Sequence, residues 1–110
     1  MKIPGDAIIP DHKFTKYLLV NREYDDKSKF LAQAGFVLEN YEKLIDQIKR
    51  LIVTNEAIKD KSDEYGNFYR VEGIINGPNG MNLEITTVWL ERNIDKKFQF
   101  ITLKPKKGRI

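Results

Sequence analysis

The chain of 110 residues contains no cysteine and no long apolar run. Without cysteine the fold depends on neither disulfides nor thiolate–metal sites, which fits a reducing cytoplasm. The stretch "MKIPGDAIIPDHK" lacks the apolar core of a secretory signal. No apolar run approaches the roughly 20 residues that a membrane-spanning helix needs. We therefore expect a cytoplasmic protein that has no membrane segment.

Residue types that build familiar catalytic sites are also scarce. His12 is the only histidine, so a mechanism that uses two histidines as acid and base is excluded. A histidine at the start of a helix is more often a surface or capping residue than a catalyst. The serines Ser28 and Ser62 carry no nucleophile signature. Because Walker loops, dinucleotide-binding glycines and zinc-ligand spacings are all missing, we expect no cofactor and no metal.

The charge that is present is unevenly distributed. Hydrophobic residues make up 41% and charged residues 32%, which is typical of one globular domain over residues 1–110. The net charge is +3, yet Asp95 is the only acid after residue 94, against six cations. Such a local field attracts phosphate backbones or an acidic partner. A solubilising tail over residues 106–110 is the simpler interpretation.

Apolar residues recur at helical spacing in the first half of the chain, residues 1–55. Asp11 is a good N-cap for a first helix, and residues 27–35 predict a second that ends at Gly35. The strongest pattern follows Asn40, where apolar residues repeat at steps of three and four over residues 41–55. This segment predicts a helix that packs one side against an apolar surface.

The spacing changes to period two in the second half, residues 56–105. The predicted strands cover residues 56–61, 67–76, 81–92 and 98–104, the first of them as a short edge strand. Because the connections are short, neighbouring strands should be antiparallel. The sequence therefore predicts an α+β domain in which two to three N-terminal helices pack on one face of a three- to four-stranded antiparallel meander sheet.

Alternation divides the side chains of this sheet into two sets. The apolar set, expected beneath the helices, is Tyr69, Val71, Ile75, Leu83, Ile85, Thr87, Trp89, Ile101 and Leu103. The mixed set is Phe68, Arg70, Glu72, Glu84, Thr86, Val88, Leu90, Phe98, Phe100, Thr102 and Lys104. Aromatics interleaved with cations are typical of surfaces that bind single-stranded nucleic acid. Alternatively a partner, a second copy or the first helix covers these rings, and a slip of one residue would exchange the sets.

The segments "KFLAQAGF", "YRVEGIINGPNG" and "TTVWL" resemble an uncharacterised bacterial family, a domain of unknown function. The resemblance covers Met1 to Pro105. Small stand-alone members are common in cyanobacteria and often carry the label adhesin, and relatives occur in polymorphic toxins and phage-head-associated proteins. The order of helices and sheet is also similar to ribonuclease toxins of the barnase, EndoU and RelE type, whose open sheet face binds RNA. This second resemblance is one of fold and transfers no catalytic residue.

The mixed face and this resemblance lead to the hypothesis of a metal-independent, toxin-like ribonuclease. Attack by a 2′-hydroxyl needs a base, a cation on the phosphate and an acid for the leaving oxygen. The candidate catalytic residues are Arg70, Glu72, Thr102, Lys104 and His12. Arg70 and Lys104 would stabilise the phosphate charge, and Thr102 would orient the phosphate. Glu72 or His12 would accept the proton.

RNA would be bound by a second group of side chains, with a small antitoxin-like protein as a possible partner. The candidates are Lys29, Phe68, Thr86, Phe100, Lys106 and Lys107. Lys29 is included because helix N-termini favour anions. Two other hypotheses stay open, a non-catalytic module that binds a partner protein through the same face and an accessory or immunity-like protein. The sequence does not determine the oligomeric state.

Overall fold

The sheet dominates the computed structural model, which describes residues 1–23 and 27–106. Its strands are β1 (Ile58–Asp63), β2 (Gly66–Asn76), β3 (Asn82–Arg92) and β4 (Phe98–Pro105). They are antiparallel and lie in the order β1-β2-β3-β4. The predicted meander is confirmed, with four strands. The N-terminal segment adds to its outer edge, where Ile8 pairs in parallel with Gln99 of β4.

Three short helical segments and one longer helix precede the sheet. They are a π-helical turn (Phe14–Leu18), α1 (Ser28–Ala32), a 3₁₀ turn (Leu38–Asn40) and α2 (Tyr41–Thr54). The first two are shorter than the predicted helices. Gly35 does adopt the expected left-handed conformation, with φ 91°. No helix in the described part of the chain is long and apolar enough to cross a membrane.

Helix α2 begins where the sequence predicts, and its apolar side is buried. The buried residues are Leu44, Ile45, Ile48, Leu51 and Ile52. Asn40 precedes the helix, but its side chain does not cap it. Instead, its Oδ1 accepts the Val37 N–H at 2.8 Å and its Nδ2 donates to the Gly35 carbonyl at 2.9 Å. Asn40 therefore closes the preceding turn.

Helix α2 lies directly on strand β2 at Gly73. A Cβ atom there would lie 2.5 Å from Leu51 Cδ1 and 2.9 Å from Asn55 Nδ2. Since such distances are too short for a real contact, a larger residue at position 73 would force the Leu51 and Asn55 side chains to shift. Asn55 Nδ2 also donates to the Glu72 carbonyl at 3.1 Å. This packing covers one sheet face with α2 and leaves the other, hereafter the open face, away from the helix.

A β-bulge in β4 corrects the predicted division of the two faces. Val88 pairs with Thr102 but its neighbour Trp89 pairs with Phe100, so Ile101 has no partner on β3. Because side chains alternate, the extra residue moves every position before it to the opposite face. Thr102 stays on the open face as predicted, whereas Phe100 does not.

Phe98 and Phe100 therefore belong to the core, and their predicted place on the open face was wrong. Phe100 is fully buried, which also removes it as a nucleic-acid-binding residue. Its ring stacks on Phe14 and meets Trp89 edge-on, with centroids 5.3 and 5.4 Å apart. Phe98 contacts Tyr69, with centroids 5.6 Å apart. Ile101, predicted in the core, is only half-buried.

Candidate functional site

Three polar side chains lie side by side across the open face. Glu72 on β2 pairs with Thr86 on β3, and Thr86 pairs in turn with Lys104 on β4. Directly opposed side chains in antiparallel strands have Cβ atoms about 5 Å apart. Arg70 lies two residues before Glu72 and therefore on the same face. Four of the predicted site residues are thus brought together by strand register alone.

The carboxylate of Glu72 is the centre of this group. Arg70 Nε lies 3.7 Å from Glu72 Oε2, and Lys106 Nζ lies 3.9 Å from Glu72 Oε1. The Thr86 hydroxyl donates to Oε2 at 3.5 Å. Arg70 also has Asp60 Oδ1 at 3.9 Å from its Nη1. Charge-assisted hydrogen bonds are usually about 2.7–2.9 Å long, so these cations are near Glu72 without being tightly held by it.

These side chains border a shallow cavity of about 320 Å³, hereafter the Glu72 cavity. It is lined by Arg70, Glu72, Thr86, Lys104, Pro105 and Lys106. Three cations against one carboxylate make it a place where an anion is favoured. Thr86, which also lines the cavity, is only 5% exposed.

Thr102 contributes to a second cavity rather than to the first. Its hydroxyl accepts a hydrogen bond from Lys27 Nζ at 3.3 Å. This cavity, also of about 320 Å³, lies at the outer edge of β4, and we name it the β4-edge pocket. Its polar and basic lining is Lys13, Tyr17, Arg22, Lys27 and Thr102. Thr102 and Lys104 are two residues apart on one face, or about 7 Å, so the two cavities are neighbours.

The other predicted site residues lie apart from Glu72. His12 is exposed, and its ring is 6.5 Å from that of Tyr17, beside the β4-edge pocket. Lys29 is exposed on α1 and borders a separate hollow with Phe36. Phe68 does lie on the open face, half-buried, with Lys61 Nζ 5.3 Å from its ring centre. Lys107 lies outside the described residues.

Sequence reasoning missed the basic lining of the β4-edge pocket. Lys13, Arg22 and Lys27 follow no shared period and belong to three different local segments. They meet only because the N-terminal segment runs along β4, which no short-range pattern in the sequence indicates. The helical spacing of Phe14, Tyr17 and Leu18 predicts an apolar side that includes Tyr17, but Tyr17 is exposed. The short sequence separation of Tyr17 and Arg22 is the one local pattern that indicates a surface role for Tyr17.

Among the described residues, the pKa that departs most from its ordinary value is that of Asp95, in an ion pair at the β3–β4 turn. Arg92 contacts Asp95 through both Nε and Nη2, with the Nε–Oδ1 distance at 3.1 Å. The backbone N–H of Lys97 donates to the same carboxylate at 3.1 Å. These hydrogen bonds, that of Arg92 first, lower the pKa of Asp95 from 3.8 to about 2. The pair fixes the turn that leads into β4.

Metal-ligating residues do not cluster in the described ranges. Within residues 1–23 and 27–106, no group of three or more His, Cys, Asp or Glu side chains is placed to hold a metal ion. The Glu72 cavity offers one carboxylate together with three cations. Such an arrangement suits an anionic ligand.

Comparison with known families assigns the chain to one of them. A family model described as a domain of unknown function, DUF6883, matches residues 4–107. The chain belongs to this family. No curated protein matches this DUF6883 domain. The family description assigns no activity.

Among solved structures, the DUF6883 domain is similar to a chain of a contact-dependent growth inhibition toxin–immunity protein complex from Klebsiella pneumoniae 342. The TM-score is 0.69 at 18% identity, and the match covers 91% of this chain and 100% of the other. At that identity the similarity is one of fold. The fold is thus one that occurs in a toxin–immunity complex.

Proposed function

We propose that this DUF6883 domain is a toxin-like ribonuclease that binds and cleaves RNA at the Glu72 cavity. The observation that carries the proposal is a single carboxylate, Glu72, with Arg70 and Lys106 within 4 Å and a threonine hydroxyl at 3.5 Å. A base beside cations is what RNA transesterification needs. The similar fold in a toxin–immunity protein complex supports a role in such a pair. The substrate would be cytoplasmic RNA.

In the proposed reaction, the scissile phosphate lies between Arg70 and Lys104, and Thr86 helps to orient it. Glu72 accepts the proton of the 2′-hydroxyl while that oxygen attacks phosphorus. The bond between phosphorus and the 5′-oxygen breaks, and Lys106 donates a proton to the departing oxygen. The products are a 2′,3′-cyclic phosphate and a 5′-hydroxyl. Arg70 and Lys104 stabilise the charge on the pentacovalent phosphorus.

The loose ion pairs of the cavity favour this role for Arg70. Its contacts at 3.7 and 3.9 Å, to Glu72 and Asp60, are too long to be strong hydrogen bonds. An incoming phosphate can therefore bind the Arg70 guanidinium without breaking a short ion pair. A guanidinium on a central strand can then bind two phosphate oxygens at once.

The test is cleavage of bacterial RNA by the purified domain, with and without EDTA. The parent should yield 2′,3′-cyclic phosphate ends under both conditions, and Glu72→Gln should lower the rate at least 100-fold, as loss of a general base does. Glu84→Gln is the matched control, because Glu84 is exposed on neighbouring β3 and lies outside the cavity. Intact RNA with the parent, or equal rates for Glu72→Gln and Glu84→Gln, would refute the proposal.

A second candidate function is binding of a protein partner on the open face without catalysis. Apolar side chains beside the cavity favour it, since Ile58 is exposed and Val88 and Leu90 are half-buried there. In this case the domain is an interaction or immunity-like module. Ile58→Asp would then abolish capture of the partner while RNA stays intact with every variant.

A further inference from the structure

The β4-edge pocket combines positive charge with an exposed aromatic ring. The side chains that line it within the described residues include Lys13, Arg22 and Lys27 and no carboxylate. Tyr17, although in the helical turn that packs on the core, is 47% exposed. The Arg22 guanidinium lies over its ring, 5.2 Å from the centre. The pocket thus presents flat groups together with cations.

Flat groups and cations together are what a nucleotide requires. Bases stack on aromatic rings and on arginine planes, and phosphates bind lysine and arginine. Lys27 donates a hydrogen bond to the Thr102 hydroxyl, and both residues line the pocket. The volume of about 320 Å³ lies at the lower end of the range of small-ligand sites.

The pocket also lies next to the Glu72 cavity. Thr102 borders the pocket and Lys104 borders the cavity, and the two side chains are adjacent on the open face of β4. A separation of about 7 Å along a strand can be spanned by one nucleic-acid chain that touches both places. The bulge at Ile101 moves Phe100 into the core, while Thr102 and Lys104 keep their places on the open face.

We infer that the β4-edge pocket is a nucleotide subsite. It stacks one base of a single strand on the Arg22–Tyr17 pair and binds the adjoining phosphate at Lys13 and Lys27. This inference rests on the proposed ribonuclease function, because it assumes that the next phosphates of the same bound strand reach Glu72. It adds a preference for single-stranded over duplex substrate, since a paired base cannot enter the pocket.

The binding test uses a fluorescent single-stranded DNA octamer, which lacks the 2′-hydroxyl and so stays intact. Anisotropy should show about tenfold weaker binding for Tyr17→Ala/Arg22→Ala than for the parent. The matched control is Tyr65→Ala/Arg50→Ala, which removes the same residue types at exposed positions elsewhere and should bind as the parent does. Equal affinities for the two double variants would overturn the subsite. If the pocket variant unfolds, Arg22→Gln against Arg50→Gln repeats the comparison.

Two further ligands separate a nucleotide subsite from a general acidic-partner surface. Heparin carries charge without bases, so Tyr17→Ala should weaken binding of the octamer and leave heparin binding unchanged. Equal losses for both ligands would overturn the base-binding claim in favour of an anionic partner such as an acidic protein. A duplex of the same sequence should bind the parent more weakly than the octamer, and equal binding would also overturn it.

The two proposals fail in different ways. If the parent leaves RNA intact but Tyr17→Ala/Arg22→Ala weakens octamer binding, the subsite stands and the ribonuclease does not. If the parent cleaves RNA and that double variant binds the octamer normally, the ribonuclease stands and the subsite does not. A parent that fails to bind the octamer overturns the subsite.

Discussion

The ring of Phe14 stacks on the ring of Phe100, with centroids 5.3 Å apart and planes 17° apart. Phe14 belongs to the π-helical turn and Phe100 to the last strand, so this contact closes the core between the N-terminal segment and β4. Both rings are fully buried. The stacking therefore fixes the N-terminal segment along the strand that carries Thr102 and Lys104.

Truncation of the Phe100 side chain should therefore lower the stability of the folded protein. We expect Phe100→Ala to lower the free energy of unfolding by about 3–5 kcal/mol, as for other buried phenylalanines. Phe68→Ala is the control, because Phe68 is half-buried on the open face and should cost much less. Urea denaturation measures both. A change below about 0.5 kcal/mol for Phe100→Ala would mean that the ring is at the surface.

The side of the sheet on which Phe100 lies is a property that the sequence does not determine. In "FQFITLK", apolar side chains occur at both parities, so either alternate set satisfies a buried face. Only the pairing with β3, which leaves Ile101 without a partner, decides that Phe100 and Leu103 share the core. A bulge leaves one residue of the strand unpaired and requires no change in amino-acid composition. Period-two patterns therefore predict that β4 exists but not which face its first half presents.

The elements that were predicted correctly depend on long, redundant patterns. Five buried residues of α2 repeat at steps of three and four, so one exception would not change the prediction. Strands β2 and β3 form a hairpin in uninterrupted register, which put Arg70, Glu72 and Thr86 on one face as predicted. The β4-edge pocket depends instead on contacts between distant segments, such as Lys27 with Thr102. No local signal in the sequence describes such contacts.

Helix α2 should supply a large share of the stability through Leu44 and Ile48. Both are fully buried, as is Trp89 of the facing sheet. Leu44→Ala or Ile48→Ala should each lower the unfolding free energy by about 2–5 kcal/mol, because a cavity remains where the side chain was. Val53→Ala, on the exposed side of the same helix at 61% exposure, should change it by less than about 0.5 kcal/mol. Similar losses for all three variants would contradict the orientation of the helix.

The Arg92–Asp95 pair predicts a specific acid dependence. Because the folded-state pKa of Asp95 is lowered from 3.8 to about 2, its contribution to stability is present above the unfolded-state pKa and fades as the pH falls towards 2. The difference in stability between the parent and Arg92→Gln should therefore narrow between those pH values. An NMR titration should place the Asp95 midpoint near 2 in the parent and higher in Arg92→Gln. An unchanged midpoint would remove Arg92 as the cause.

Salt dependence should distinguish phosphate-contacting cations from a solubilising tail. If Lys104 and Lys106 contact phosphates, affinity for the single-stranded octamer should fall steeply with salt. Neutralising either residue to Gln should lower the slope of log K against log salt by about 0.7. Lys49→Gln, on the exposed side of α2, is the matched control and should leave the slope unchanged. A slope that is flat in the parent would assign the cations near the C-terminal end to solubility.

Arg70 gives the sharpest test of the Glu72 cavity, because its structural and functional roles predict different outcomes. Its pairs with Glu72 and Asp60, at 3.7 and 3.9 Å, are partly exposed and should contribute no more than about 0–1 kcal/mol to stability. Arg70→Ala should therefore change the melting temperature little.

Arg70→Ala should strongly lower the rate of RNA cleavage. It should also relieve the growth inhibition that follows induced expression. Arg70→Lys keeps the charge but loses the planar pair of donors, so it should retain only part of the activity. Arg50→Ala, on the exposed surface of α2, controls for the loss of one arginine. If Arg70→Ala inhibits growth as strongly as the parent, the open face is not the active surface. If the parent itself leaves growth and RNA unaffected, the protein-binding alternative takes its place.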